Sequence, residues 1–163
     1  MIALFLTASF PMAQAQEKPM IEEKNITEEQ VIALVQKAVK LLQETGEEGL
    51  KKIGEPNGEF HQGELYVFVF NEDITTVAHP AKPTLVGTNF RGKPDVKGKL
   101  FRDEIVTKTL ADGKGWTTYI FQKPGASGLY NKKVYSELAE KDGKKYIVNA
   151  GMYDANPYSE PAK

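Results

Sequence analysis

GWTTYIFQKPGASGLYNKKVY, residues 115–135, is the stretch whose reading decides the fold. It carries the only tryptophan of the chain, three tyrosines and three lysines, in two runs of strand-forming residues joined by a Pro/Gly/Ser turn. A strand turns successive side chains to opposite faces, so Trp116 and Thr118 share one face while Thr117 and Tyr119 share the other. In the second run Lys132 and Val134 point one way, Lys133 and Tyr135 the other. A hairpin that carries tyrosine hydroxyls, an indole and an ammonium group suits the wall of a pocket for a small anion with an apolar body. The irregular segment from Pro124 to Tyr130 leaves the pairing register open, and with it whether Lys132 or Lys133 faces that pocket.

Working outward from the hairpin, Lys144 to Tyr153 reads as a further strand, joined through the turn Lys141-Asp142-Gly143. Upstream, Leu100 to Leu110 has helical spacing and stops at Asp112-Gly113, whereas Asn89 to Lys99 is rich in Gly, Pro and basic residues and reads as a surface loop. Glu64-Leu65-Tyr66-Val67-Phe68-Val69-Phe70 is a strand, expected to be central, and Thr75 to His79 returns as a second one before Pro80 and Pro83 impose irregular structure. The clearest element is the helix that starts at Thr27. Its threonine and Gln30 make a capping box, Glu28 and Glu29 suit the positive end of the dipole, and Val31, Leu34, Val35, Ala38, Val39, Leu41 and Leu42 form its apolar face. Gly46 ends or kinks it, with a short helical segment through Ile53. One long helix, two strands, a helical connection and three more strands predict an α+β domain around an antiparallel sheet.

The whole chain is 163 residues with 40% hydrophobic and 26% charged side chains, enough for one domain with a real core. A net charge of −1 without a long block of one sign argues against a nucleic-acid partner. The absence of cysteine excludes disulfides, thiolate metal sites and a cysteine nucleophile. His61 and His79 are isolated and lack metal-ligand spacing, so neither a metal nor another cofactor is expected. Gly87 to Lys93 imitates a phosphate loop, yet Pro94 stands where the metal-binding hydroxyl is required. No serine triad or paired-carboxylate arrangement emerges, and no catalytic residue is assigned. The first residues, an apolar run from Ile2 to Phe10 followed by Ala13-Gln14-Ala15, read as a signal peptide over residues 1–15, although no Lys or Arg precedes the run. The expected organisation is a polar leader over 16–26, a single domain over 27–153 and a flexible tail over 154–163, in a soluble protein exported to a bacterial periplasm.

The succession LYVFVFNED, VAHP, LVGTNF, GWTTY, KKVYSE and YIVNAGMY resembles the single Cache domain family, PAS-like extracytoplasmic sensor modules of bacterial chemoreceptors and histidine kinases. The likeness runs from the helix at Thr27 to Tyr153. It implies a PAS-like fold in which a long helix flanks a central antiparallel sheet and a small organic carboxylate is held against that sheet. By the same resemblance Trp116, Tyr119, Lys132 and Tyr135 contribute to the pocket, and the AHP segment brings His79 to its rim. Lys132 is then expected to fix the carboxylate and Tyr119 and Tyr135 to complete its hydrogen bonds, while Trp116, Tyr66 and Phe68 wall in the apolar part. Receptor members of the family have transmembrane helices and a signalling module, neither of which is read in this sequence. Output is therefore expected through a membrane sensor or transporter partner. The alternative is a structural module that dimerises through the Thr27–Leu42 helix and has no ligand.

Overall fold

A computed structural model describes residues 25–160. The expected signal peptide and most of the leader lie outside them. Helix α1 (Glu28–Thr45) begins with the capping box: the Thr27 side chain accepts from the Gln30 amide at 3.3 Å, and the Gln30 side chain accepts from the Thr27 amide at 2.9 Å. Gly46, at φ 57° and ψ −126°, breaks the helix and α2 (Glu47–Ile53) follows. A two-residue strand that the sequence pattern does not reveal, β1 (His61–Gln62), precedes β2 (Leu65–Asn71) and β3 (Thr76–Ala78). Helix α3 (Phe101–Asp112) ends at Gly113 in the left-handed conformation (φ 79°). Strands β4 (Lys114–Gln122), β5 (Leu129–Lys141) and β6 (Lys144–Tyr153) complete the chain. All pairings are antiparallel, in the order β1-β2-β6-β5-β4, with β3 also against β2. This is the α+β, PAS-like arrangement expected of the chain.

The register left open by the 124–130 segment is settled by the pairs Gln122 with Leu129, Tyr119 with Lys132, and Trp116 with Tyr135. The β5–β6 hairpin closes with Lys141 opposite Lys144, and Asp142 (φ 51°) and Gly143 (φ 77°) both take the left-handed geometry that a two-residue turn needs. The residues after Tyr153, expected to fray, tie back to β5: the Asp154 amide donates to the Asn131 carbonyl at 3.0 Å and the Tyr158 amide to that of Leu129 at 2.6 Å.

The sheet is buried on both faces, by different partners. On one face α1 lays Val31, Leu34, Val35, Ala38 and Leu42 over Leu65, Val67, Val69, Val148 and Ala150. On the other, Phe101, Ile105 and Val106 of α3 cover Tyr66, Phe68, Phe70, Tyr119, Val134 and Ile147. This double coverage explains why β2 is buried at every position from Leu65 to Phe70 instead of alternating. Asn149, fully buried in β6, stitches the middle of the sheet. Its Nδ2 donates to the carbonyls of Phe68 (3.1 Å) and Ile147 (2.7 Å), and its Oδ1 accepts from Ser136 Oγ (2.7 Å). Gly151 cannot carry a side chain, because a Cβ there would stand 2.5 Å from the Lys133 carbonyl oxygen.

Candidate functional site

Five of the seven expected site residues converge on the α3 face. Lys132 is only 1% exposed, although lysine is among the residues least often buried. Its Nζ donates to the Tyr66 hydroxyl at 2.8 Å and lies 4.3 Å from the ring centre of Tyr66, 4.7 Å from Phe68 and 4.8 Å from Tyr153. Among the described residues no carboxylate meets it. The Tyr66 hydroxyl stands 2.9 Å from that of Tyr153, which donates to the Gln122 carbonyl at 3.0 Å. Each hydroxyl has a single proton, so the relay has one direction: Lys132 to Tyr66, Tyr66 to Tyr153, Tyr153 to the backbone.

His79 lies flat on Phe68 (ring centres 5.5 Å apart, planes at 26°) and beside Tyr66 (5.2 Å). Its Nδ1 accepts from the Lys82 amide at 3.0 Å, which in the neutral ring leaves the proton on Nε2 as a donor. Burial, with the nearby charges of Lys132, Lys82 and Arg102, pushes the imidazole down to about 3, so at neutral pH it is uncharged. Burial also drives the Lys132 ammonium well below its ordinary value and raises the Tyr66 hydroxyl to about 12. Tyr119 is buried with its ring stacked on Phe101 at 3.8 Å.

The sixth polar member, Arg102, is absent from the sequence-level expectations. Its guanidinium sits 4.3 Å from the Phe90 ring centre and 4.2 Å from that of Phe101. It is 9% exposed and makes no ion pair among the described residues. Arg102, Lys132, His79, Tyr119, Phe68 and Phe121 surround a cavity of about 10 Å³, room for roughly one water molecule. Two basic side chains and a neutral imidazole thus face a small space that, among the described residues, no carboxylate lines. The arrangement can receive an anion.

The residues 13–160 match the family model described as single Cache domain 2. The chain belongs to the single Cache domain 2 family. Among solved structures, a periplasmic sensor domain of a chemotaxis protein is 26% identical, with a TM-score of 0.66 over 77% of this chain and 93% of that one. A Cache chemosensory domain described for its carboxylic acid recognition is 25% identical, with a TM-score of 0.65 over 77% and 91%. A methyl-accepting chemotaxis protein from Vibrio parahaemolyticus, 16% identical with a TM-score of 0.62 over 77% and 86%, shares the fold. No curated protein matches the chain.

In this Cache domain the seven expected site residues divide between the two faces of the sheet. Lys132, Tyr119, Tyr66, Phe68 and His79 meet under α3. Trp116 and Tyr135 do not join them, and the expectation of one shared pocket is corrected on this point. They pair with each other across β4 and β5 and pack on the α1 side (ring centres 5.2 Å apart), and the Tyr135 hydroxyl donates to Glu137 at 2.8 Å. The reason is the pleat: Trp116 is three positions from Tyr119, and Tyr135 three from Lys132, an odd spacing that sends each to the opposite face. Lys133 goes with them, over the Trp116 ring (4.8 Å) and paired with Glu28 at the start of α1. Tyr153 and Phe121 join Arg102 as members of the site that sequence reasoning missed. All three carry a signal in retrospect, since Tyr153 and Phe121 have the parity of Lys132 and Tyr119, and Arg102 falls on the buried stripe 101, 102, 105, 106, 109 of α3.

Proposed function

We propose that this Cache domain reversibly binds a small organic carboxylate in the hollow beneath α3 and does no chemistry on it. Lys132 and Arg102 supply the opposite charge, and the hydroxyl of Tyr119 and Nε2–H of His79 supply further donors. Tyr66 and Phe68 keep water out. The observation that carries this reading is the pair of buried basic side chains on one hollow without a carboxylate partner among the described residues. Charge buried without a partner is costly, and an anionic ligand relieves that cost. The likeness to a domain that recognises carboxylic acids supports the same reading.

The setting is read as a bacterial periplasm, with export by the apolar N-terminal run and output through a membrane sensor or transporter. Among the described residues no helix is long and apolar enough to cross a membrane. The decisive experiment is a thermal-shift panel of short carboxylates against matched amines, on protein unfolded and refolded to strip any co-purified acid. Stabilisation by acids alone supports the reading. A flat response to every acid, together with a firm dimer by size-exclusion chromatography, favours a structural module. The closed state of the hollow makes that second reading worth testing.

A further inference from the structure

The hollow of about 10 Å³ is too small for any organic acid, so a wall must move before one enters. Two of its polar walls are tied by hydrogen bonds. Lys132 is bonded to Tyr66, Tyr66 to Tyr153, and His79 to the Lys82 amide. Arg102 is held by stacking on Phe90 and Phe101 and by no ion pair among the described residues. Of the three nitrogen-bearing walls, Lys132, His79 and Arg102, it is therefore the one without a directional bond among the described residues. Immediately beyond it lies a groove of about 380 Å³, within the usual range for small-ligand sites. Arg102, Phe101, Phe121 and Leu85 line both the hollow and the groove.

Apart from Arg102, the groove is mostly apolar. Leu85, Pro94, Val96, Ile120 and Leu129 line it, and Val96, at 62% exposed, and neighbouring Leu100, at 45%, are among the few large apolar side chains turned to water. Its single acidic group is Asp95, held ionised by the amides of Lys97, Lys99 and Ile120 at 2.9–3.1 Å. Lys82 at the rim is occupied by Gln122 Oε1 at 2.6 Å and the Phe121 ring. A second carboxylate extending outward would meet the Asp95 charge, whereas an alkyl or aryl chain would meet Val96, Ile120 and Leu129.

We infer that the acid is a monocarboxylate with an apolar tail, its carboxylate between Lys132 and Arg102 and its tail in the groove formed by Leu85, Val96, Phe101, Ile120, Phe121 and Leu129. This rests on the carboxylate-binding reading above and adds the ligand class. Entry turns the Arg102 guanidinium onto the carboxylate and joins hollow to groove.

The test is calorimetric titration of the intact chain with acetate, propanoate, butanoate, hexanoate, succinate and glutarate. Affinity is expected to rise about fourfold for each methylene added beyond acetate until the groove is filled. Succinate and glutarate should bind more weakly than butanoate. Val96→Asp, at an exposed position, should flatten the chain-length dependence; Leu129→Asn serves as a second, independent variant that adds no charge. Acetate binding as tightly as hexanoate, or a dicarboxylate binding more tightly than both, overturns the inference and leaves carboxylate binding standing. Silence toward every acid removes both.

Discussion

Replacing Lys132 with methionine separates the binding role of this side chain from its structural one. At 1% exposure a truncation to alanine would leave a void, whereas methionine fills most of the volume and removes only the nitrogen. In the free protein the change deletes one hydrogen bond, to Tyr66, worth about 0.5–1.5 kcal/mol, and at the same time relieves the burial of an amine. Tyr66 keeps its bond to Tyr153. The two effects oppose each other, so the free protein should keep its melting temperature to within about 1 kcal/mol of stability. With ligand the balance changes, because a charge-assisted hydrogen bond of about 1.5–3 kcal/mol is lost, a factor of roughly 10–100 in Kd. A parent held at 100 times its Kd gains about 2.7 kcal/mol, and a variant thirtyfold weaker gains about 0.9 kcal/mol at the same concentration. For a chain of this size that corresponds to ligand-induced shifts of roughly 5–10 °C against 2–3 °C. A thermal-shift titration with a short carboxylate reads both quantities. Equal shifts in variant and parent would refute the argument. The pH dependence gives a second check. The folded protein holds the lysine less protonated than the unfolded chain does, so stability should climb as pH rises toward the ordinary lysine value of 10.5. That climb should be weaker in Lys132→Met.

Arg102→Met should weaken carboxylate binding by roughly 10–100-fold with little change in the unliganded melting temperature, checked by calorimetry, because among the described residues the guanidinium has no ion-pair partner to orphan. His79, at about 3 in the folded chain against 6.5 unfolded, makes stability fall as pH drops through that window. His79→Gln should flatten this acid limb in urea unfolding measured between those limits. Tyr135→Phe should cost about 0.5–1.5 kcal/mol through the lost bond to Glu137 and leave the ligand-induced shift of the parent intact, because its ring faces α1; a weakened ligand shift would reverse the face assignment.

The elements with strong local signals were legible from the amino-acid order. Thr27 and Gln30 announce the start of α1 through two reciprocal hydrogen bonds that depend on nothing distant. Asp112-Gly113 stops α3 and Asp142-Gly143 turns the last hairpin for equally local reasons, since both turns need positive φ. Strand β1 was not legible, because two residues have no periodicity and His61 and Gln62 form a strand only where β2 offers them a partner. The return of residues 154–158 against β5 escaped for the same reason: its hydrogen bonds go to Asn131 and Leu129, more than twenty residues away. A buried isoleucine at φ 64°, Ile74, was equally invisible. Its left-handed backbone costs about 1–2 kcal/mol, which burial of its side chain among the α3-side residues offsets by a similar amount.

The site was half legible, and the missing half follows from one geometric fact. Residues near one another in sequence invite the inference that they share a pocket, but on a sheet covered on both faces proximity and facing are independent. The pleat places Tyr119 with Lys132 and Trp116 with Tyr135, on opposite sides of the same two strands. Parity alone therefore separates the pocket from the helix contact once the register is known. This division has a functional consequence. Consecutive residues of β5 face the two sides of the sheet: Lys132 looks into the hollow under α3, while Lys133 lies over Trp116 and pairs with Glu28 at the first turn of α1. An anion that draws Lys132 toward itself pulls on the same backbone that positions Lys133. On the proposed carboxylate-binding reading, one peptide unit of β5 joins the ligand side to the long helix, and the link crosses the sheet instead of passing around it.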